Sequence, residues 1–184
     1  MEPFLKVYYG NASSLHHASR EPRQVLRKAR RQLASLLGAA DENSIIFTSG
    51  GTESNNAALR SALRVTGKRR IVTSVIEHSS ILRPLMQLEK EGADVYRLSV
   101  DREGQIDLDE LRQALTPETA LVSLMTANNE TGIFLPLDKA GALIKESGIL
   151  FHVDAVQSVG KHLLNLKNGP IDYLSLSGHK LYGP

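Results

Sequence analysis

The segment TALVSLM, residues 119–125, is an almost continuous apolar run of strand-forming residues. Similar runs precede it at 70–76 and 93–98 and follow it at 148–154 and 172–177. Because segments with helical periodicity lie between most of these runs, the pattern predicts strands that alternate with helices. Apolar strands without polar alternation indicate a sheet buried on both faces. The sequence therefore predicts an α/β fold of three layers, a mostly parallel sheet flanked by helices.

Further elements extend this pattern towards the N-terminus. The run SIIFTS at 44–49 is predicted as another strand, and residues 19–37 as an amphipathic helix that ends at Gly38. The residues expected on the apolar face of that helix are Val25, Ala29, Leu33 and Leu36. The other predicted helices are 52–66, 79–91, 107–115 and 136–147. Pro84 predicts that the helix at 79–91 starts late or is strained in its first turns.

The helix at 19–37 also carries a basic stripe, made of Arg20, Arg23, Arg27, Arg30 and Arg31. Such a stripe indicates either a surface for an anion or partner, or a solvated helix face. The whole chain has 22 Lys and Arg against 20 Asp and Glu, a formal charge of +2. This balance favours the solvated face and gives no argument for nucleic-acid binding.

Composition limits the remaining classes of function. The 184 residues are 41% hydrophobic and 23% charged, as expected for one globular domain or a piece of a larger one. No basic segment followed by an apolar one opens the chain, and no apolar run is long enough to span a bilayer, so we expect a cytoplasmic protein. The absence of cysteine excludes disulfides, thiolate metal ligands and a thiol nucleophile within these residues.

Polar residues follow five of the predicted strands. The segments are 50–54, 77–79, 126–130, 154–157 and 177–180. Because ligands of open parallel sheets bind outside the carboxyl ends of the strands, we expect these residues to share one edge. Turn chemistry explains one such segment easily, but five in phase predict a functional site.

Each candidate also has a structural alternative. Gly51 and Thr52 open a helix and form either an anion site or an ordinary capped turn, with neither the P-loop nor the dinucleotide pattern. His78 is either a base, a ligand or a flat ring against a cofactor, or else a structural histidine. His152 and Asp154 suggest a metal pair, but His152 lies further inside the sheet and no metal site is predicted. Asp154 needs a cationic or hydrogen-bonding partner, or else caps the next helix.

Lys180 completes a set that one cofactor requires. A lysine held partly away from water loses its proton and forms an imine with an aldehyde. Pyridoxal phosphate needs such a lysine, an acid beside its pyridine nitrogen and a cradle for its phosphate. Lys180, Asp154 and the turn at Gly51 and Thr52 supply these three groups.

The same segments carry a resemblance to a known family. Its motifs are FTSGGTESNN (47–56), EHSS (77–80), NNETG (128–132), HVDAVQSVG (152–160) and SGHKLYGP (177–184). In this order they resemble cysteine desulfurases of the nitrogen-fixation and iron–sulfur-assembly type, in the class V aminotransferase superfamily. The resemblance covers nearly the whole chain and implies the large domain of fold-type-I pyridoxal-phosphate enzymes.

The resemblance also implies a role for each site residue. Lys180 would bind the cofactor aldehyde covalently, and Asp154 would hold the pyridine nitrogen. Gln157 would bond the phenolic oxygen of the ring, and His78 would stack on the ring and relay protons. Asn129 would lie beside the cofactor and the substrate carboxylate. The phosphate would be held by Gly51, Thr52, Ser177 and His179.

Departures from the family shape the functional expectation. The chain stops four residues after Lys180, so residues 1–184 are expected to be part of a large cofactor-binding domain, without the small C-terminal domain. The family's sulfur-accepting cysteine lies in the part not seen here, so this chain is expected to be inactive alone. We expect a fragment of a homodimeric enzyme that converts L-cysteine to L-alanine and passes sulfur to an acceptor protein for iron–sulfur clusters. The alternatives are another class V enzyme, an aminotransferase or selenocysteine lyase, and a catalytically dead truncated product.

Overall fold

Five parallel strands form one sheet in the computed structural model, which describes residues 1–161, 166–167 and 169–183. The strands are β1 (Arg70–Ser74), β2 (Asp94–Leu98), β3 (Thr119–Met125), β4 (Leu150–Asp154) and β5 (Tyr173–Ser175). Their order across the sheet is β2-β1-β3-β4-β5, and every neighbouring pair is parallel. The parallel sheet predicted from the apolar runs is confirmed at these five positions.

The described residues also form six α-helices. They are α1 (Glu2–Lys6), α2 (Arg20–Leu37), α3 (Gly51–Thr66), α4 (Ser79–Lys90), α5 (Leu108–Ala114) and α6 (Leu137–Glu146). The helix α4 begins at Ser79 and continues through Pro84, so the delayed start that Pro84 suggested is wrong. Among the described residues, none of the helices combines the length and apolar composition needed to cross a bilayer.

The four helices of the sheet-containing part, α3 to α6, lie in two layers, one on each face of the sheet. Helices α3 and α4 pack together, as do α5 and α6. Right-handed crossovers place the two pairs on opposite faces, because the chain moves one way across the sheet after β1 and the other way after β2 and β3. The core between α3, α4 and the sheet contains Leu59, Ile71, Ile81, Leu85 and Leu121, all fully buried. This three-layer arrangement is the one predicted from the sequence.

Residues 44–49 correct the sequence prediction. They form no strand: Glu42–Ser44 is a turn of 3₁₀ helix, and the following residues pair with no strand among the described residues. Ile46 is 79% exposed and Phe47 is 45% exposed. A β-strand needs the backbone groups of a neighbouring strand, and apolar composition alone does not supply them. The segment after residue 49 therefore reaches the site through a helix start, and not through a strand end.

The chain divides into two compact units, residues 1–47 with 166–167, and residues 48–161 with 169–183. In the first unit, α2 ends at Gly38, whose left-handed φ of 67° suits glycine, as predicted. The expected apolar face is partly wrong, because Val25 and Leu36 are exposed. Pro22, Ala34 and Leu37 are buried instead, since the helix is rotated relative to the predicted stripe. That all residues belong to one partial large domain stays a prediction.

The basic stripe of α2 is largely used within its own unit. Arg27 and Arg31 both bond the carboxylate of Glu42, which lowers the pKa of that carboxyl. Arg30 donates to the carbonyl of Ile45 and stacks over the ring of Phe47. The stripe is therefore a mostly solvated helix face, as the charge balance favoured, and it also fastens the segment after α2.

Candidate cofactor-binding site

An open cavity of about 370 Å³ lies in the second unit, at the carboxyl edge of the sheet. Its size is within the range of small-ligand sites. The strand order reverses between β1 and β3, and ligands of such sheets bind at this switch point. All nine residues predicted for the site line this cavity: Gly51, Thr52, His78, Asn129, Asp154, Gln157, Ser177, His179 and Lys180. The structure thus brings together every predicted site residue, while their individual roles stay predictions.

Asp154 ends β4 and is almost fully buried at the floor of this cavity. Its Oδ1 accepts a hydrogen bond from the backbone N–H of Val156 at 3.1 Å. Its Oδ2 accepts one from Nδ2 of Asn55 at 2.8 Å. These bonds supply the polar partners that a buried carboxylate needs. The carboxylate is therefore fixed in orientation while it remains part of the cavity wall.

Glu77 is a buried neighbour that sequence reasoning did not select. Its Oε1 accepts from Ser74 Oγ at 2.6 Å and from the backbone N–H of Met125 at 3.1 Å, whereas Oε2 has no partner among the described residues. Burial raises the pKa of Glu77 to about 8, and the charge of Asp154 adds to the rise. The carboxyl of Glu77, which follows a strand two places from the strand of Asp154 in the sheet, is therefore close to the pH at which it gains or loses its proton. The sequence signals that pointed to it are its place in the polar segment 77–79 and in the motif EHSS, next to His78.

His78 follows β1 and caps α4. Its Nδ1 accepts the backbone N–H of Ser80 at 3.1 Å and lies 2.7 Å from Ser80 Oγ. Ser80 Oγ in turn lies 2.9 Å from Nδ2 of Asn55. Sequence reasoning missed both Asn55 and Ser80. Asn55 occupies the buried stripe of α3 together with Ala58, Leu59 and Ala62, and a polar residue on an apolar stripe is a usable signal.

The N-terminus of α3 forms one wall of the cavity through Gly51 and Thr52. First-turn amides of a helix lack intrahelical partners and attract anions. A Cβ built on Gly51 would lie 3.2 Å from Cγ2 of Val156, another wall residue. Glu53 accepts the backbone N–H of Ser49 at 2.6 Å, and hydrogen bonding from Ser49 lowers its pKa. The hydrogen bond from Ser49 to Glu53 therefore closes the turn before α3. At the first turn of α3, an anion can approach the backbone amides, but a side chain at position 51 would be crowded by Val156.

The segment after β5 brings three predicted residues to the cavity. Ser177 is buried and its Oγ lies 2.8 Å from Nδ1 of His179. Lys180 lies in the 3₁₀ turn Gly178–Leu181 and is exposed. This exposure corrects the expectation of a lysine held partly away from water, because the turn projects beyond the end of the short strand β5.

The loop after β3 is held by Asn128, which leaves Asn129 exposed at the cavity. Asn128 Oδ1 accepts the backbone N–H groups of Glu130 and Thr131, each at 2.9 Å. Its Nδ2 donates to the carbonyl of Ile76 at 2.9 Å and ties the loop to the end of β1. Asn128 therefore positions the loop, while the neighbouring Asn129 is the residue available to a ligand.

His152 lies one layer deeper, as the sequence suggested. It is fully buried, with Nδ1 2.9 Å from Ser123 Oγ and Nε2 3.0 Å from Ser175 Oγ. Ser175 Oγ also lies 2.8 Å from Ser54 Oγ on α3. Burial lowers the pKa of His152 to about 3. Both ring nitrogens are thus occupied by neighbouring serines.

The chemistry of the cavity wall fits pyridoxal phosphate. An amine, a buried carboxylate and a helix N-terminus match the aldehyde, the pyridine nitrogen and the phosphate of this cofactor. The tight space behind Gly51 also fits, because a phosphate approaches backbone amides closely only where no side chain intervenes. The residues present therefore suit the cofactor that the resemblance implies.

Comparisons with known proteins agree with this arrangement. The family model described as Aminotransferase class-V matches residues 1–184. "Cysteine desulfurase 2" of Trichormus variabilis is 54% identical over 185 residues, which are 100% of this chain and 46% of that protein. "Cysteine desulfurase IscS" of Dictyoglomus turgidum is 48% identical over 187 residues, 100% of this chain and 47% of that protein.

Two solved structures extend the comparison to three dimensions. One is described as "NIFS-LIKE PROTEIN", with a TM-score of 0.94 at 37% identity, covering 100% of this chain and 51% of that one. The other is described as "SspA in complex with cysteine", with a TM-score of 0.93 at 36% identity, covering 100% and 53%. The chain therefore spans about half the length of the relatives it matches.

Proposed function

Because this chain belongs to the class V aminotransferase family, whose members depend on pyridoxal phosphate, we propose that it forms the cofactor-binding part of a cysteine desulfurase. The reaction would convert L-cysteine to L-alanine and pass the sulfur to an acceptor thiol for iron–sulfur cluster assembly. The observation that carries the proposal is that Asp154, at the end of β4, and Lys180, after β5, line one cavity with the first turn of α3. The cysteine complex of a structural neighbour supports the substrate.

The residues of this chain would divide the binding of the cofactor among them. Asp154, already oriented by Asn55 and Val156, would accept a hydrogen bond from the pyridine nitrogen. The first-turn amides of α3 would bind the phosphate, together with the side chains predicted for it. Lys180 would attach the aldehyde. When bound, pyridoxal phosphate supplies an electron sink that eases bond changes at the carbons of an amino acid.

Three further residues would contact the ring or the substrate. His78 would stack on the ring and move protons, with its Nδ1 already occupied by Ser80. Asn129 would bind beside the substrate carboxylate from its exposed loop. Gln157, also on the cavity wall, would donate to the phenolic oxygen.

Sulfur transfer needs a group that these residues do not include. The chain has no cysteine, so a thiol must come from another part of the protein or from a partner. We therefore propose a sulfur-acceptor protein as a partner, and a homodimer as the working assembly. A cytoplasmic location stays a prediction. Another class V reaction is not favoured, because the relatives at about 50% identity are named cysteine desulfurases.

The proposal is tested by trapping the cofactor on its lysine. The purified chain is mixed with excess pyridoxal phosphate, the visible imine absorption is recorded, and borohydride reduction is followed by peptide mass spectrometry. We expect the modification at Lys180 and loss of the absorption in Lys180→Ala. Lys139→Ala, an exposed lysine on α6, is the matched control and should keep the absorption.

Two outcomes would contradict the proposal. Persistence of the absorption in Lys180→Ala would remove the lysine from its role. Release of alanine from L-cysteine by this chain alone, with no persulfide formed on the remaining cysteine or on any other thiol, would contradict the need for an acceptor thiol.

A further inference from the structure

We propose that Asn55 and Ser80 are positioning residues that fix the proton of the neutral His78 ring on Nε2 and tie that ring to Asp154. This inference rests on the proposed function, in which His78 and Asp154 act on the same cofactor. The chain of contacts runs from Asp154 Oδ2 to Asn55 Nδ2 at 2.8 Å, on to Ser80 Oγ at 2.9 Å, and to His78 Nδ1 at 2.7 Å.

The direction of the first contact follows from the carboxylate. An ionised carboxylate only accepts hydrogen bonds, so the amide nitrogen of Asn55, and not its oxygen, must face Asp154. The opposite orientation would place two acceptor oxygens against each other. Asn55 is fully buried, and its Oδ1 has no partner among the described residues. The amide is therefore held entirely through its two donor hydrogens.

The direction of the second contact follows from the first. Because Nδ2 of Asn55 also donates to Ser80, the hydroxyl oxygen of Ser80 is the acceptor there. Its own hydrogen is then free to point at His78 Nδ1. The backbone N–H of Ser80 donates to the same nitrogen at 3.1 Å. Two donors converge on Nδ1, so Nδ1 is an acceptor and the proton of the neutral ring belongs on Nε2.

The burial of the two residues sets them apart from ordinary caps. Ser80 is only 8% exposed and Asn55 is fully buried, whereas His78 itself is exposed at the cavity. A buried amide oxygen without a partner is destabilising and rare in folded proteins. A merely structural role would be served better by an apolar residue, like the neighbours of Asn55 on α3. The arrangement is therefore best explained by what it does to His78 and Asp154.

The test reads the imidazole directly, in the 184-residue chain without cofactor. The chain is labelled with ¹⁵N-histidine and examined by NMR at a pH where the ring of His78 is neutral. The wild type should show a protonated Nε2 and a hydrogen-bonded, unprotonated Nδ1. Ser80→Ala should raise the fraction of rings with the proton on Nδ1 by about fivefold, the ratio set by one hydrogen bond of ordinary net strength.

Matched variants separate positioning from general damage. Ser79→Ala removes an exposed neighbouring hydroxyl and should leave the spectrum unchanged, and Ser80→Thr should restore the wild-type signals. Asn55→Ala should move the Nδ1 signal in the same direction as Ser80→Ala, whereas Asn56→Ala on the next position of α3 should not. A wild-type Nδ1 that carries the proton would overturn the inference without any variant. An unchanged spectrum in a folded Ser80→Ala chain would also overturn it.

The outcome is separable from that of the proposed function. The tautomer of His78 is measured without cofactor, so failure of pyridoxal phosphate to attach to Lys180 would reject the proposed function and leave the tautomer result in place. A cofactor that attaches to Lys180, combined with a wild-type Nδ1–H ring, would reject the positioning role alone.

Discussion

Two histidines lie at different depths below the cavity and differ in what their ring nitrogens contact. His152, inside β4, is fully buried, and both of its ring nitrogens lie within 3.0 Å of serine hydroxyls. His78, just beyond the end of β1, is exposed, and its contacts among the described residues are made through Nδ1. Both nitrogens of the His152 ring are therefore occupied by contacts within the fold, whereas the Nε2 of His78 is available to a ligand.

The difference shows that the position of a histidine, inside a strand or beyond its end, decides whether it has a structural role or faces the cavity. Consecutive residues of α3 serve the two layers: Ser54 bonds Ser175 beneath the cavity, and Asn55 bonds Asp154 at its floor. The inner layer consists of Ser54, Ser123, His152 and Ser175, whose hydrogen bonds join α3 and the strands β3, β4 and β5. The outer layer consists of Asn55, Ser80, His78 and Asp154. It lies on this fixed network, and His78 and Asp154 face the cavity.

The largest expected effect comes from emptying the inner layer. His152→Leu should lower the free energy of unfolding by about 3 kcal/mol, because it leaves the hydroxyls of Ser123 and Ser175 buried without their ring partner. His78→Leu should cost only about 1 kcal/mol, the loss of a helix cap. Urea unfolding followed by circular dichroism measures both. Equal losses for the two variants would remove the distinction between the layers.

The inner histidine also predicts an acid sensitivity. Burial lowers the pKa of His152 to about 3 in the folded chain, so between pH 6.5 and 3 only the unfolded chain binds this proton. Stability therefore falls as the pH falls through this window, by about 2 kcal/mol between pH 7 and 5. Urea titrations at the two pH values should show this loss in a Glu77→Gln background, and the double variant with His152→Leu should lack it.

Glu77 predicts a change of stability with pH that is opposite in sign to that of His152. Its pKa is raised to about 8 by burial, so between pH 4.5 and 8 the folded chain holds a proton that the unfolded chain has lost. Stability therefore falls as the pH rises, by about 1 kcal/mol between pH 7 and 8. Glu77→Gln should flatten the profile in this interval. A wild-type profile that is already flat there would show that Glu77 is ionised in the fold.

The smallest effect on stability is expected at the cavity wall. Gly51→Ala should change the free energy of unfolding by less than about 1 kcal/mol, because contact with Val156 offsets the better helix propensity of alanine. It should nevertheless weaken binding of pyridoxal phosphate several-fold, measured by titration of the imine absorption. Gly50→Ala, whose Cβ meets nothing within 4 Å, is the matched control. Equal binding by both variants would contradict the tight phosphate cradle.

Most of the cavity lining was predictable because its residues follow apolar runs that parallel strands bring to one edge. Asp154, Lys180 and His78 could be found this way, since strand direction alone fixes which ends meet. Asn55 and Ser80 could not, because their partners are defined by how α3 and α4 pack and not by any local pattern. The run at 44–49 misled the prediction because an apolar segment specifies burial or pairing only when a neighbour is present.

The sequence by itself determined the alternation of strands and helices, the family resemblance and nine of the residues that line the cavity, because periodicity and local motifs are written into consecutive positions. Only the tertiary structure decided which of the polar groups are satisfied within the fold and which are left for a ligand. Hydrogen bonds such as that between Asn55 and Asp154 join residues far apart in the chain. Their existence depends on the packing of a whole helix against a sheet, which no short segment encodes.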